Sequence, residues 1–420
     1  MKKNYLWGIC AVMALSSCSQ DDVVSVPQTS INYSVVTNKA SRAQDVFCNN
    51  NLPDHFYVSA ELTQGTTNPV TYFTEDLVTV NSANSCTQEN LRYWPEEGTL
   101  DFYAYANGDK VNGTPTAVNF SLADKEITGY EVGTTVAEQK DLIYAVEKGK
   151  GKPAADASTK DVSLNFRHAL SQIVFQAQNL NPNIYVEISG VEIHNVANKG
   201  DFTFPAASTT TNITDHDQNG TNQITPQGTW TLGTTTADYI VDFEAVPVPY
   251  VNDNTKVNLT NNQIFGSTDD NDANEGTDFS KAMLLLPQGT IENPVDAFDK
   301  NSINNWSVAG VRATESGAFF FVKCKIWNVA DSSVGKQDTD VLVYSKEGEA
   351  KEILMPVEIV WNQGYKYVYT FIFKKQGNGG TDPDDGEDVL VPITYTITVD
   401  DFTNETEEEV EMDTTPDSNN

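Results

Sequence analysis

In the segment Gly364–Phe373 (GYKYVYTFIF), Tyr365, Tyr367, Tyr369, Phe371 and Phe373 recur at every second position. A period of two lays all five rings on one face of a β-strand and scatters them around a helix. Thr99–Ala106 (TLDFYAYA) repeats the device, with Leu100, Phe102, Ala104 and Ala106 on one face and Tyr103 and Tyr105 on the other. Ala282–Pro287 (AMLLLP) reads as a short buried run. Turn signals separate such runs, among them Asn107-Gly108, Asn112-Gly113, Asn219-Gly220 and Asp385-Gly386. No long amphipathic helix interrupts them. The pattern predicts an all-β chain built of β-sandwiches with Greek-key connections.

Val162–Ala177 is the one ambiguous stretch, because Phe166, Leu170, Ile173 and Val174 also fit a helical template. Alternation through Val162, Leu164, Phe166, His168 and Leu170, then a parity shift to Ile173, Phe175 and Ala177, favours a strand with a bulge near Ser171. The 420 residues suggest two or three domains. The basic, Gly-rich tract Glu147–Pro153 suggests a boundary near residue 160, giving one β-sandwich over 43–160 and a second over 161–402.

With 59 Asp+Glu against 26 Lys+Arg, the formal net charge is −33. Nucleic acid and anionic membrane surfaces both require clustered cations, so neither is an expected partner. The N-terminus explains how such a chain meets a membrane at all. Lys2 and Lys3 precede the apolar run Tyr5–Leu15, which has the length of a signal-peptide h-region and is too short to cross a bilayer. Leu15-Ser16-Ser17-Cys18 then reads as a lipobox, which makes 1–17 the signal peptide, Cys18 the lipidated residue and the lipid the membrane anchor. Ser19-Gln20-Asp21-Asp22 resembles the acidic export signal of surface lipoproteins. With Cys10 and Cys18 set aside, Cys48, Cys86 and Cys324 remain. Cys324 alternates with apolar neighbours and reads as a small core residue, while Cys48 and Cys86 are open between a bridge and free thiols.

The C-terminal end carries another alternating strand. Gln376–Asp388 is an acidic, Gly-rich linker that spans roughly 40 Å if fully extended. Beyond it, in the segment 389–402, Ile393, Tyr395, Ile397 and Val399 share one face and Thr394, Thr396 and Thr398 the other. Such a strand either closes its own sandwich or completes a neighbour's sheet. Residues 403–420 form an acidic tail.

Catalytic and metal motifs are scarce. The four histidines (His55, His168, His194 and His216) form no H-E-x-x-H, and neither G-x-S-x-G nor a Walker loop occurs. His168 alternates with Phe166 and Leu170 and reads as a satisfied core histidine. Asp215, Asp217 and Asn219 begin a calcium-loop pattern, but Pro226 stands where the closing Glu belongs. The expectation is a non-enzyme with no cofactor.

Several of these segments fall in an order that resembles the fimbrillin family of Bacteroidota. The resemblance is carried by Tyr93-Trp94-Pro95 followed by Leu100–Ala106, by Asp141–Ala145 followed by Leu164–Leu170, by Leu284–Gln288, and by Gly364–Tyr367. It implies two transthyretin-like β-sandwich domains in a type V pilus subunit at the outer membrane and cell surface. It also implies that a surface protease cuts after an Arg and removes an N-terminal strand, and that a strand from the next pilin subunit fills the groove. Of the four arginines, Arg42 sits in a polar N-terminal stretch, so the matching cut falls between Arg42 and Ala43. Residues 18–42 are then the propeptide, Ile31–Val36 the strand removed, and Ile393, Tyr395, Ile397 and Val399 the donor face. The rival expectation is a monomeric or anchor lipoprotein that binds a host protein or glycan through Tyr93, Trp94, Tyr103 and Tyr105.

Overall fold

A computed structural model describes residues 29–37, 53–82, 85–108, 117–154, 157, 161–209, 226–259, 282–289, 317–357, 359–374, 393–401 and 409–410. These residues form four β-sheets, with two single-turn 3-10 helices at Val136–Glu138 and Ser332–Val334. The all-β expectation holds.

The first sheet has seven strands. In spatial order they are β1 (Tyr33–Thr37), β9 (Val162–His168), β8 (Asp141–Lys150), β5 (Thr99–Gly108), β2 (His55–Thr63), β3 (Val70–Ser82) and β4 (Ser85–Gln88). The expected boundary near residue 160 precedes β9, whereas pairing carries this sheet on to His168. Both faces of its middle strands are buried, as the alternation in Thr99–Ala106 demands. Phe102, Ala104 and Ala106 of β5 pack with Phe56, Ile143, Leu164 and Phe166 in one core, while Tyr103, Tyr105 and Tyr144 enter a second.

A small sheet covers that second face. It comprises β13 (Thr229–Leu232), β12 (Lys199–Thr203), β7 (Glu126–Glu131) and β6 (Phe120–Ser121). Tyr144 meets Phe202 with ring centroids 4.7 Å apart, and Tyr103 meets Phe204 edge-on at 6.0 Å. Because β7 and β12 come from opposite sides of residue 160, this sheet ties the two halves of the chain together.

The remaining sheets pack face to face. One contains β15 (Val257–Asn258), β10 (Ser171–Asn179), β20 (Tyr365–Phe373), β21 (Ile393–Asp401) and β22 (Glu409–Val410), with β16 (Met283–Leu285) also on β10. The other contains β14 (Thr236–Val248), β11 (Ile184–Ala197), β17 (Phe319–Asn328) and β18 (Val341–Tyr344), with β19 (Lys351–Pro356) also on β17. Phe320 of β17 inserts between Phe175 of β10 and Tyr369 of β20, at 5.8 and 4.9 Å. All five alternating aromatics of β20 are buried in this core.

Val162–Ala177 is extended, but it is two strands and not one bulged strand. The parity shift arises because the chain leaves the first sheet after His168 and enters another at Ser171. Between them, Ala169 N–H is held by Leu142 C=O at 2.8 Å and Leu170 C=O accepts Gly364 N–H at 2.8 Å. Both backbone groups stay satisfied through the change of sheet.

Candidate functional site

The residue type and burial of β1 single it out. Ile31, Tyr33 and Val35 are 0, 2 and 1 % exposed, although the strand lies at the edge of its sheet. It runs parallel to β9, with Tyr33 opposite Val162, Val35 opposite Leu164 and Thr37 opposite Phe166. The residues just before it are bound as well. Ile31 N–H donates to Arg92 C=O at 2.8 Å, and Trp94 N–H donates to Thr29 C=O at 2.9 Å. Gln88 of β4 donates its side-chain amide to Ile31 C=O. The segment 29–37 thus reaches from β9, along Tyr33–Thr37, to the chain beyond β4 at the opposite end of the sheet, which it meets through Thr29 and Ile31.

The segment that grips it is braced from behind. Arg92 makes two parallel bonds to Asp76, Nε to Oδ2 at 2.6 Å and an outer nitrogen to Oδ1 at 2.9 Å. Tyr72 donates its hydroxyl to Tyr93 C=O at 2.8 Å. The Tyr33 ring meets Phe56 at 6.0 Å and Phe102 at 6.1 Å, both edge-on, and Trp94 meets Phe102 at 6.0 Å. Burial pushes the Tyr33 phenol well above its ordinary range, with the nearby Asp76 charge adding to it. A cavity of about 420 Å³ opens beside this segment, lined by Tyr72, Arg92, Tyr93 and Trp94 among others.

Of the aromatics named for glycan binding, Trp94, Tyr103 and Tyr105 are buried, at 6, 1 and 1 % exposure. All three belong to the hydrophobic cores, so only the half-buried Tyr93 remains from that set as an accessible ring. Cys86 is a free thiol, half-buried and pushed up to about 11 by burial and by Asp161. Cys324 is free and buried, as expected of a small core residue. His168 is buried with Nδ1 3.0 Å from Asp141 Oδ1, the satisfied arrangement read from its place in the strand. Cys18, Arg42, Ala43, Cys48, Asp215, Asp217 and Asn219 lie outside the described residues.

The C-terminal strand is paired within its own chain. β21 runs antiparallel to β20, with Ile393 opposite Phe373, Tyr395 opposite Phe371, Ile397 opposite Tyr369 and Val399 opposite Tyr367. On its other side β21 meets β22 at Ile397 and Thr398. Among the described residues there is no group of His, Cys, Asp and Glu able to hold a metal ion. No helix there is long and apolar enough to cross a membrane.

Fold and site together define an all-β protein whose N-terminal strand is the closing element of its own sheet. The chain belongs to the fimbrillin-like family, whose model matches residues 41–306. It is similar to a fimbrial protein from Bacteroides vulgatus, at 14% identity, 89% coverage of this chain, 99% of that one and a TM-score of 0.48. A proposed cell adhesion protein from Bacteroides uniformis is 12% identical over 90% of this chain and 99% of that one, with a TM-score of 0.40. Among curated proteins there is no match. Family membership implies a cell-surface setting, assembly with other pilin subunits and a structural role.

Proposed function

We propose that the chain is a fimbrial subunit exported as a lipoprotein on Cys18, matured by an Arg-specific surface protease between Arg42 and Ala43, and assembled by donor-strand exchange. The observation that carries this reading is the position of β1: it precedes Arg42 in sequence and closes the first sheet in space.

A cut after Arg42 leaves β1 attached by pairing and packing alone. Its loss uncovers the sites of Ile31, Tyr33 and Val35, whose burial contributes roughly 5 kcal/mol in sum. It also strips partners from the Arg92 carbonyl and from the amides of Trp94 and Val162, the last of which donates to Asn32 C=O at 2.8 Å. Unpaired backbone and bare apolar surface together favour capture of another strand. A donor strand on one surface and a groove on another make a heterologous contact, which propagates as a filament.

The test is the intact mass and N-terminal sequence of the protein recovered from its native cell surface. A mature chain beginning at Ala43, with Arg42→Ala blocking both this processing and polymerisation, supports the reading. A chain that polymerises while still beginning at acylated Cys18 rejects it.

A further inference from the structure

The cavity beside Arg92 holds more chemistry than the seating of β1 uses. Its volume of about 420 Å³ stands at the small end of the range that takes a small molecule, roughly 300–1,000 Å³. That is room for a sugar ring or two and too little for an extended protein segment. We propose that it is a carbohydrate subsite that takes one uncharged pyranose residue of a neutral glycan. The site is independent of the donor-strand reading, because its residues, 72 and 91–96, all follow Arg42 in sequence.

One part of the wall is apolar. Tyr93 is half-buried and Leu91 is 59 % exposed, so aromatic and aliphatic surface is still open to solvent there. A pyranose carries a face of C–H groups, and laying it on Tyr93 takes both surfaces out of water.

The polar groups suit hydroxyls. Arg92 Nε and one outer nitrogen are committed to Asp76, at 2.6 and 2.9 Å, and the guanidinium carbon lies 5.2 Å from the centre of the Phe73 ring. With the fork held in this way, the second outer nitrogen is left to donate in a direction already set. Trp94 is 6 % exposed, and its indole N–H has no hydrogen-bond partner. A buried donor left unmet is costly, and an acceptor brought by a ligand would meet it. Glu96 supplies an acceptor, since Lys152 at 2.8 and 3.0 Å from its two oxygens leaves lone pairs over. Each hydroxyl both donates and accepts, so neighbouring hydroxyls on one ring can serve Arg92 and Glu96 together.

Charge argues against acidic sugars. Asp76 neutralises Arg92 and Glu96 neutralises Lys152, so neither cation is free for a ligand carboxylate or sulfate. A net charge of −33 repels such ligands at longer range as well.

The test is saturation-transfer NMR on the purified, uncleaved chain. The probes are methyl glycosides of glucose, galactose, mannose, fucose and N-acetylglucosamine, with lactose and sialyllactose as a neutral and an acidic pair. The expected result is saturable binding of at least one methyl glycoside, weakened about tenfold or more by Tyr93→Ala and by Leu91→Arg. Trp94→Phe keeps a ring against Phe102 and removes the N–H, and should weaken binding roughly threefold to tenfold. Leu91→Arg alters an exposed side chain and leaves the core intact, so it decides the matter if Tyr93→Ala does not fold. No saturable binding of any methyl glycoside overturns the subsite. Binding left unchanged by the folded variants puts the sugar elsewhere and overturns it too. Sialyllactose bound more tightly than lactose overturns the uncharged ligand.

Discussion

Tyr33 meets Phe102 edge to face, with ring centroids 6.1 Å apart and planes at 85°. One ring lies in the strand before the proposed cut and the other in the central strand of the sheet it closes. The contact therefore measures how firmly the N-terminal strand is seated.

Tyr33→Ala in the uncleaved chain should destabilise the N-terminal sheet by about 3 kcal/mol, because it empties a hole between rigid rings. Urea denaturation followed by aromatic fluorescence reads this directly. An unchanged midpoint would mean that β1 contributes little to the sheet.

Asp76 braces Arg92, whose carbonyl holds Ile31. Asp76→Ala leaves the half-exposed guanidinium without its carboxylate and should cost about 2 kcal/mol. Hydrogen exchange at the Ile31 amide should quicken more than exchange within β20. Equal protection at both sites in the variant would separate the ion pair from β1.

Gly289 follows Gln288 with φ of 111°, in the left-handed half of backbone space, and a Cβ there would strike the Ile359 carbonyl. Gly289→Ala should cost about 3 kcal/mol or more. Calorimetry should show the loss as a lower Tm, and an unaltered Tm would contradict the close approach of these two segments.

His194 is buried against the Phe319 ring, with Nε2 2.6 Å from Glu192 and Nδ1 2.8 Å from Asp238. Burial lowers its pKa, but the bonds and charges of Asp238 and Glu192 outweigh burial and raise it above 6.5. A raised folded-state pKa stabilises the fold fully below the unfolded value, and that contribution is lost as pH rises through the folded value. Unfolding free energy should therefore fall as pH climbs above 6.5, and His194→Gln should flatten the slope. Identical slopes in the two proteins would remove His194 from the titration.

Much of the architecture was legible in the residues. Alternation in Thr99–Ala106 and in Gly364–Phe373 foretold two strands, and packing against neighbouring sheets decided that both faces of the first and the ring face of the second are buried. The family motifs were visible too, but not what they do. Tyr93-Trp94-Pro95 supplies part of the backbone that grips Thr29–Ile31. Asp141 meets His168 across a sheet, and the Gln288 side chain accepts from Ala197 N–H at 2.8 Å. No local period announces such contacts, because the partners lie 27 to 91 residues apart. The change of sheet after His168 was hidden for a related reason: alternation records which face a side chain takes, and a parity shift looks the same for a bulge and for a new sheet.

Period, turn residues and charge are local properties, so the chain by itself determined that it would be β throughout, strongly acidic and provided with alternating strands near both ends. Which strand pairs with which is a long-range choice made by complementary holes and free edges. Only the tertiary structure decided that Tyr33–Thr37 lies parallel to β9 with Ile31 held by Arg92, and that Ile393–Asp401 rests on β20.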